Sequence, residues 1–256
     1  MTAPLVRRSP THPAKVVAAV DLTPRMRRIT LRTESMRGIE LRPAQDVELL
    51  LREPSGRRVK RRYTIRHARP DAGELDLDVL LHGSGPGSHW GATARPGDEV
   101  EFQGPRGKLE LRPAPWHLLV GDESALPAIA AISAALPVDE PALALIEVGD
   151  ESDHLPVDHA DVHWLHRGTA SAGGPDLLAA ALEDLDLAGL AGLPGRGYLM
   201  GESRAMVALR AVLEGRGIAH DAIFVKGYWN VGRPDRLAGR APSRQPLPDR
   251  AHDVSG

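Results

Sequence analysis

The chain has 256 residues, with 32 Lys and Arg against 34 Asp and Glu, and no cysteine. The near balance of charge gives no global field to draw nucleic acid or a membrane surface, and the missing thiols exclude disulfides, thiolate zinc sites, a catalytic cysteine and cysteine-ligated iron–sulfur clusters. Electron transfer, if there is any, has to run through an organic cofactor.

The first residues lack the apolar core of a signal peptide, and no apolar run approaches the length of a membrane span, so a cytoplasmic protein is expected. The length suits two medium domains. Up to residue 113 the chain reads as short strands over 16–20, 26–31, 46–51, 62–67, 74–82 and 99–102, separated by turn signals such as Pro70-Asp71-Ala72-Gly73 and Arg95-Pro96-Gly97-Asp98. Such spacing predicts an antiparallel barrel or sandwich over 1–113. After Arg-Pro-Ala-Pro at 112–115 the rhythm changes. Strands over 116–120, 142–148, 162–165, 197–200 and 222–228 are interleaved with helices over 128–136, 176–185 and 203–215, which predicts an α/β domain with a parallel sheet over 114–230. Residues 231–256, rich in Arg, Pro and Gly, predict a disordered tail.

Five stretches carry chemistry. In Arg61-Arg62-Tyr63-Thr64-Ile65-Arg66 the strand period places Arg61 and Tyr63 on one face and Thr64 and Arg66 on the other. Charge, an aromatic face and a small hydroxyl suit a flat, phosphorylated redox cofactor. Next, Gly83-Ser84-Gly85-Pro86-Gly87-Ser88 leads into a short helix expected at 89–92, with Ser88 as its cap and free N–H groups near Gly87 to Trp90 for an anion. A plain Gly/Pro turn explains that loop as well when it is taken alone. Gly121-Asp122-Glu123-Ser124-Ala125 and Met200-Gly201-Glu202-Ser203 are strand-to-helix turns on one sheet edge, where wound sheets bind nucleotides, although the Gly-x-Gly-x-x-Gly fingerprint is absent. Last, Lys226-Gly227-Tyr228-Trp229 ends the final strand. It reads either as a strand anchored by aromatic packing or as a cation facing an anionic ligand. The basic run 57–62 reads as a solvated loop or the rim of a site for an acidic small molecule. The histidines 154, 159, 163 and 166 lack metal-site spacing.

Taken in order, these segments, with Leu81-His82-Gly83 and Gly104-Pro105-Arg106-Gly107, resemble the siderophore-interacting protein family, the FAD-dependent ferric-siderophore reductases of the ferredoxin-reductase-like superfamily. The resemblance runs from about residue 14 to 230. It implies an N-terminal FAD-binding β-barrel and a C-terminal domain binding NADPH or NADH. It also implies that Arg61 holds FAD phosphate, Tyr63 stacks on the isoalloxazine, Thr64 bonds near its reactive nitrogen, and His82 lines the flavin site. Gly87, Ser88 and Trp90 would hold the pyrophosphate, Gly121 to Ala125 with Gly201 and Glu202 would flank the nicotinamide nucleotide, Lys226 would face substrate or nucleotide, and Trp229 would face substrate. Asn230 departs from the arginine that many relatives carry there. The implied reaction passes electrons from NAD(P)H through FAD to iron(III) in a siderophore, with no protein general acid or base and no metal ligand. Two alternatives are a flavin reductase with another acceptor, such as a ferredoxin, and a non-catalytic carrier of siderophore or flavin. The choice of nucleotide stays open, because Glu147, Asp150 and Glu151 would disfavour a 2′-phosphate and Arg167 would bind one.

Overall fold

In the computed structural model, residues 10–53, 55–83, 85–186 and 195–232 are described. The expected disordered tail lies outside them from residue 233 onward. Six strands, β1 (Thr11–Thr23), β2 (Met26–Arg32), β3 (Asp46–Arg52), β4 (Arg58–Arg69), β5 (Glu74–Leu80) and β6 (Glu99–Arg106), close into a barrel in the order β1-β2-β5-β4-β3-β6. Every pairing is antiparallel, and β6 returns to β1, which decides for a barrel over a sandwich because no strand edge is left unpaired. Val16, Ile29, Leu49, Leu77 and Phe102 fill the interior. Helix α1 (Pro86–Thr93) bridges β5 and β6 and lies so close to β5 that a Cβ on Gly91 would stand 2.5 Å from Val79 Cγ1.

That helix starts earlier than the sequence suggested. Gly85 is its N-cap and Pro86, whose fixed φ suits the first helical position, opens it. Ser88 therefore sits inside the first turn, buried, and is not the cap. β4 is also longer than expected and carries a register shift between Ile65 and His67.

The second half forms a five-stranded parallel sheet from β7 (His117–Asp122), β8 (Ala142–Val148), β9 (Ala160–His166), β10 (Arg196–Glu202) and β11 (Ile223–Trp229), in the order β11-β10-β7-β8-β9. Helices α2 (Leu126–Ser133), α3 (Asp176–Asp184) and α4 (Ser203–Gly215) cover it. Alternate residues serve the two faces: Leu119, Ile146 and Met200 pack with α2, and Leu118, Leu145 and Leu199 pack with α3 and α4. The chain steps outward from β7 to β9 and then returns beside β7 as β10. The carboxyl ends of β7 and β10 therefore form a topological switch point, the place where such sheets take ligands.

Residues 107–116 carry no helix or strand, yet Leu109 and Leu111 pack with Leu119 and fix the connection against the sheet. No helix among the described residues is long and apolar enough to cross a membrane. Among those residues no group of three or more His, Asp or Glu is arranged to hold a metal ion.

Candidate flavin and nucleotide site

The barrel contributes a polar end built on β4 and α1. The Tyr63 phenol reaches the first turn of α1, where a Cβ on Gly87 would collide with its hydroxyl and lie 3.3 Å from Arg61 Cγ. A larger residue there would have to push the Tyr63 hydroxyl aside. Trp90 leans on the Tyr63 ring with centroids 5.9 Å apart, tilted by 39°. Among the described residues no side chain caps α1, and His89 N–H is bonded to Gly85 O at 2.9 Å, which leaves the N–H groups of Gly87 and Ser88 without an acceptor inside the helix. Arg61 donates to the carbonyl of Lys60 at 2.9 Å. Burial raises the pKa of Tyr63 above the ordinary phenol value and keeps it protonated.

His82 stands exposed just past β5. Arg66 lies apart from this group. It is buried on β4 and makes no hydrogen bond among the described residues, and desolvation lowers its pKa, with Asp78 opposing.

The sheet contributes its carboxyl edge, and Asp122 organises it. One carboxylate oxygen accepts Ser124 N–H at 2.9 Å and the Ser124 hydroxyl; the other accepts Glu202 N–H at 2.9 Å and the Trp229 indole N–H at 2.9 Å. A single buried carboxylate thus ties together the ends of β7, β10 and β11. Burial pushes its pKa up, with the donated hydrogen bonds opposing. Gly201 has φ +152°, and a Cβ there would stand 2.6 Å from Asp122 Oδ2. A Cβ on Gly121 would meet the Met200 carbonyl. Both turns are therefore closed to larger residues. Glu202 caps α4 through Arg204 N–H at 2.6 Å and Ala205 N–H at 2.8 Å, and its other oxygen accepts Val231 N–H at 3.2 Å. Ala125 is buried at the start of α2.

The two halves meet where α2 packs on β4 and through side chains of β11. Tyr228 Oη lies 3.2 Å from Thr64 Oγ1. Lys226 Nζ donates to Asp46 Oδ2 at 2.8 Å and to the Ala44 carbonyl at 3.3 Å, and sits 5.1 Å from the centre of the Tyr228 ring. Burial works against the Lys226 ammonium, but Tyr228 and Asp46 hold its pKa above the usual lysine value. The family resemblance implies that Lys226 faces substrate or nucleotide and that Trp229 faces substrate. The structure engages the first with Asp46 and the second with Asp122. Asp46 and Arg25 were not identified from the sequence. Their partners, Lys226 and Asp153, lie 180 and 128 residues away, and no local motif marks them.

Comparison with known proteins agrees with this geometry. A family described as siderophore-interacting protein matches residues 114–232, and a siderophore-interacting FAD-binding domain matches residues 52–109. The ferric vibriobactin reductase ViuB of Vibrio cholerae is 35% identical over 187 residues, 70% of this chain and 68% of that protein. The chain belongs to the siderophore-interacting protein family. Among solved structures, a siderophore utilization protein from T. fusca superposes with a TM-score of 0.81 at 30% identity, covering 90% of this chain and 96% of that one. The ferredoxin reductase of carbazole 1,9a-dioxygenase superposes at 0.69 with 21% identity, covering 88% of this chain and 71% of that one. That similarity places the family member's two halves in the ferredoxin-reductase-like architecture.

Proposed function

We propose that this protein is an FAD-dependent ferric-siderophore reductase that draws its electrons from a nicotinamide nucleotide. The observation that carries the reading is the Thr64–Tyr228 contact, which brings the Arg-x-Tyr-Thr strand of the barrel to the switch-point edge of the wound sheet. A flavin at that junction would be within reach of both halves.

The residues present fit FAD. Arg61 and the N–H groups of Gly87 and Ser88 in the first turn of α1 offer charge-assisted and helix-terminal hydrogen bonds to a pyrophosphate. Tyr63, kept protonated and backed by Trp90, offers a ring face, and Thr64 a hydroxyl at the ring edge. The turns at Gly121 and Gly201, fixed by Asp122, would line the site for a nicotinamide nucleotide. When bound, FAD supplies the conversion of a two-electron hydride into single electrons for iron(III). Reduction weakens the hold of hard oxygen chelators on the metal, so iron leaves the siderophore without any protein ligand. The residue roles and the division at residues 113 and 114 follow the same reading.

The test is an absorbance spectrum of purified protein under anaerobic conditions. Flavin bands are expected that bleach with NADH or NADPH and return when a ferric siderophore is added. Bound flavin that no nicotinamide nucleotide bleaches would indicate a carrier. Bleached flavin that no ferric chelate reoxidises would indicate another acceptor. Arg61→Ala should purify with flavin content lower by about tenfold or more, since a charge-assisted hydrogen bond contributes about 1.5–3 kcal/mol.

A further inference from the structure

A dinucleotide lying in the switch-point crevice with its nicotinamide toward Thr64 and Tyr228 has to extend its adenosine along the carboxyl edge, toward the ends of β8 and β9. Two arginines stand there. Arg25, from the β1–β2 turn, lies across Gly149 just after β8, so closely that a Cβ on Gly149 would collide with the guanidinium. Arg167 follows β9, and its side chain is 8% exposed.

Both guanidiniums are already paired with carboxylates, with the Arg25 side chain 36% exposed and Arg167 Nη1 without a hydrogen-bond partner among the described residues. Arg25 donates Nε to Asp153 Oδ1 at 2.9 Å, with a second bond from Nη2 to Oδ2, and stands 3.4 Å from Glu123 Oε2. Arg167 donates Nη2 to Glu123 Oε1 at 2.7 Å, with Nη1 3.7 Å from Glu147. Glu123 joins the two. Beyond them Asp150 and Glu151 are exposed. A 2′-phosphate, with close to two negative charges, would meet this acidic edge and would have to compete with the bidentate Asp153 pair for Arg25 and with Glu123 for Arg167. A ribose with a free 2′-hydroxyl would instead find carboxylate acceptors.

Building on the proposed reductase function, we infer that the crevice selects NADH over NADPH, and that Glu123 is the specificity-determining residue because it holds Arg25 and Arg167 together.

The test measures binding of NAD+ and NADP+ to the flavin-loaded protein by calorimetry, alongside anaerobic flavin reduction by NADH and NADPH. The wild-type protein should favour the non-phosphorylated nucleotide by about tenfold or more, the scale of one charge contact. Glu123→Gln should loosen both arginines and raise the NADP+ to NAD+ affinity ratio severalfold. Should that variant fail to fold, the exposed pair Asp150→Asn with Glu151→Gln tests the same field and should shift the ratio in the same direction by less. Equal or better binding of NADP+ by the wild type, or an unchanged ratio in the folded variants, overturns the inference and leaves the reductase reading intact. Reduction by neither nucleotide overturns both.

Discussion

The barrel end and the sheet edge of the crevice are built on opposite electrostatic plans. At the barrel, cations crowd a single carboxylate. Buried Glu48 lies 2.8 Å from Lys60, 3.2 Å from Arg106 and 3.5 Å from Arg62, and although burial alone would raise its pKa, Lys60 and Arg106 hold it below the usual value. At the sheet edge Asp122, Glu123, Glu147 and Glu202 are all buried; Asp122, Glu123 and Glu202 accept hydrogen bonds from backbone, indole or guanidinium donors, and Glu147 lies 3.7 Å from Arg167 Nη1. Lys60 and Arg62 alternate with Arg61 along β4, so the Glu48 cluster lies on the other face of the strand from Arg61, which is the cation proposed to meet a pyrophosphate. The sheet edge offers backbone and carboxylate, which suit hydroxyls better than phosphate. The difference separates the two proposed ligands of one crevice.

The largest effect on this contrast is expected where the two plans touch. Lys226→Met would leave Asp46 buried without its cation, and its Oδ1 already lacks a hydrogen-bond partner among the described residues. Thermal or urea denaturation should show a loss of about 3 kcal/mol, the scale of a broken buried pair. Adding Asp46→Asn should recover part of it. A single variant as stable as the wild type would show that the pair does not join the two halves. A smaller effect is expected from Tyr228→Phe. Removing its contact with Thr64 should cost about 1 kcal/mol or less, while the ring still packs. Near-wild-type flavin content with slower reduction by the nucleotide would place Tyr228 on the nucleotide's side of the flavin.

The smallest effect is a slope. Burial pushes the Glu147 carboxyl up to about 7 from an ordinary 4.5, with Arg167 opposing and Asp122 and Glu123 adding to the rise. The folded chain therefore binds a proton that the unfolded chain releases across this interval. Its contribution to stability is greatest at the acid end and is lost as pH rises through about 7. Denaturation midpoints of Glu147→Gln followed from pH 5 to 8 should show a flatter profile than the wild type. An identical profile would mean that Arg167 keeps Glu147 ionised throughout.

Much of the barrel side was legible in the chain. Tyr63, Thr64 and Arg61 follow one another on a strand whose period of two assigns their faces, and a glycine-proline loop announces a helix start. Even there the cap was misplaced, because Pro86 opens α1 before Ser88 can cap it. On the sheet side, the turn glycines marked where strands meet helices but not what the acids between them do. Asp122 and Glu202 look alike in sequence as polar residues at a turn. One ties three strand ends together and the other caps a helix.

The sequence alone determined the two-part architecture, the order of its elements and the strand suited to a flavin, because periodicity, turn residues and local spacing are properties of neighbours along the chain. Only the tertiary structure decided that Lys226 faces Asp46, that Trp229 faces Asp122, and that Arg25 and Arg167 are both held by Glu123. Those pairings join residues between 44 and 180 positions apart. Which acid meets which base at that range is set by how the barrel and the sheet pack, and no short-range pattern encodes it.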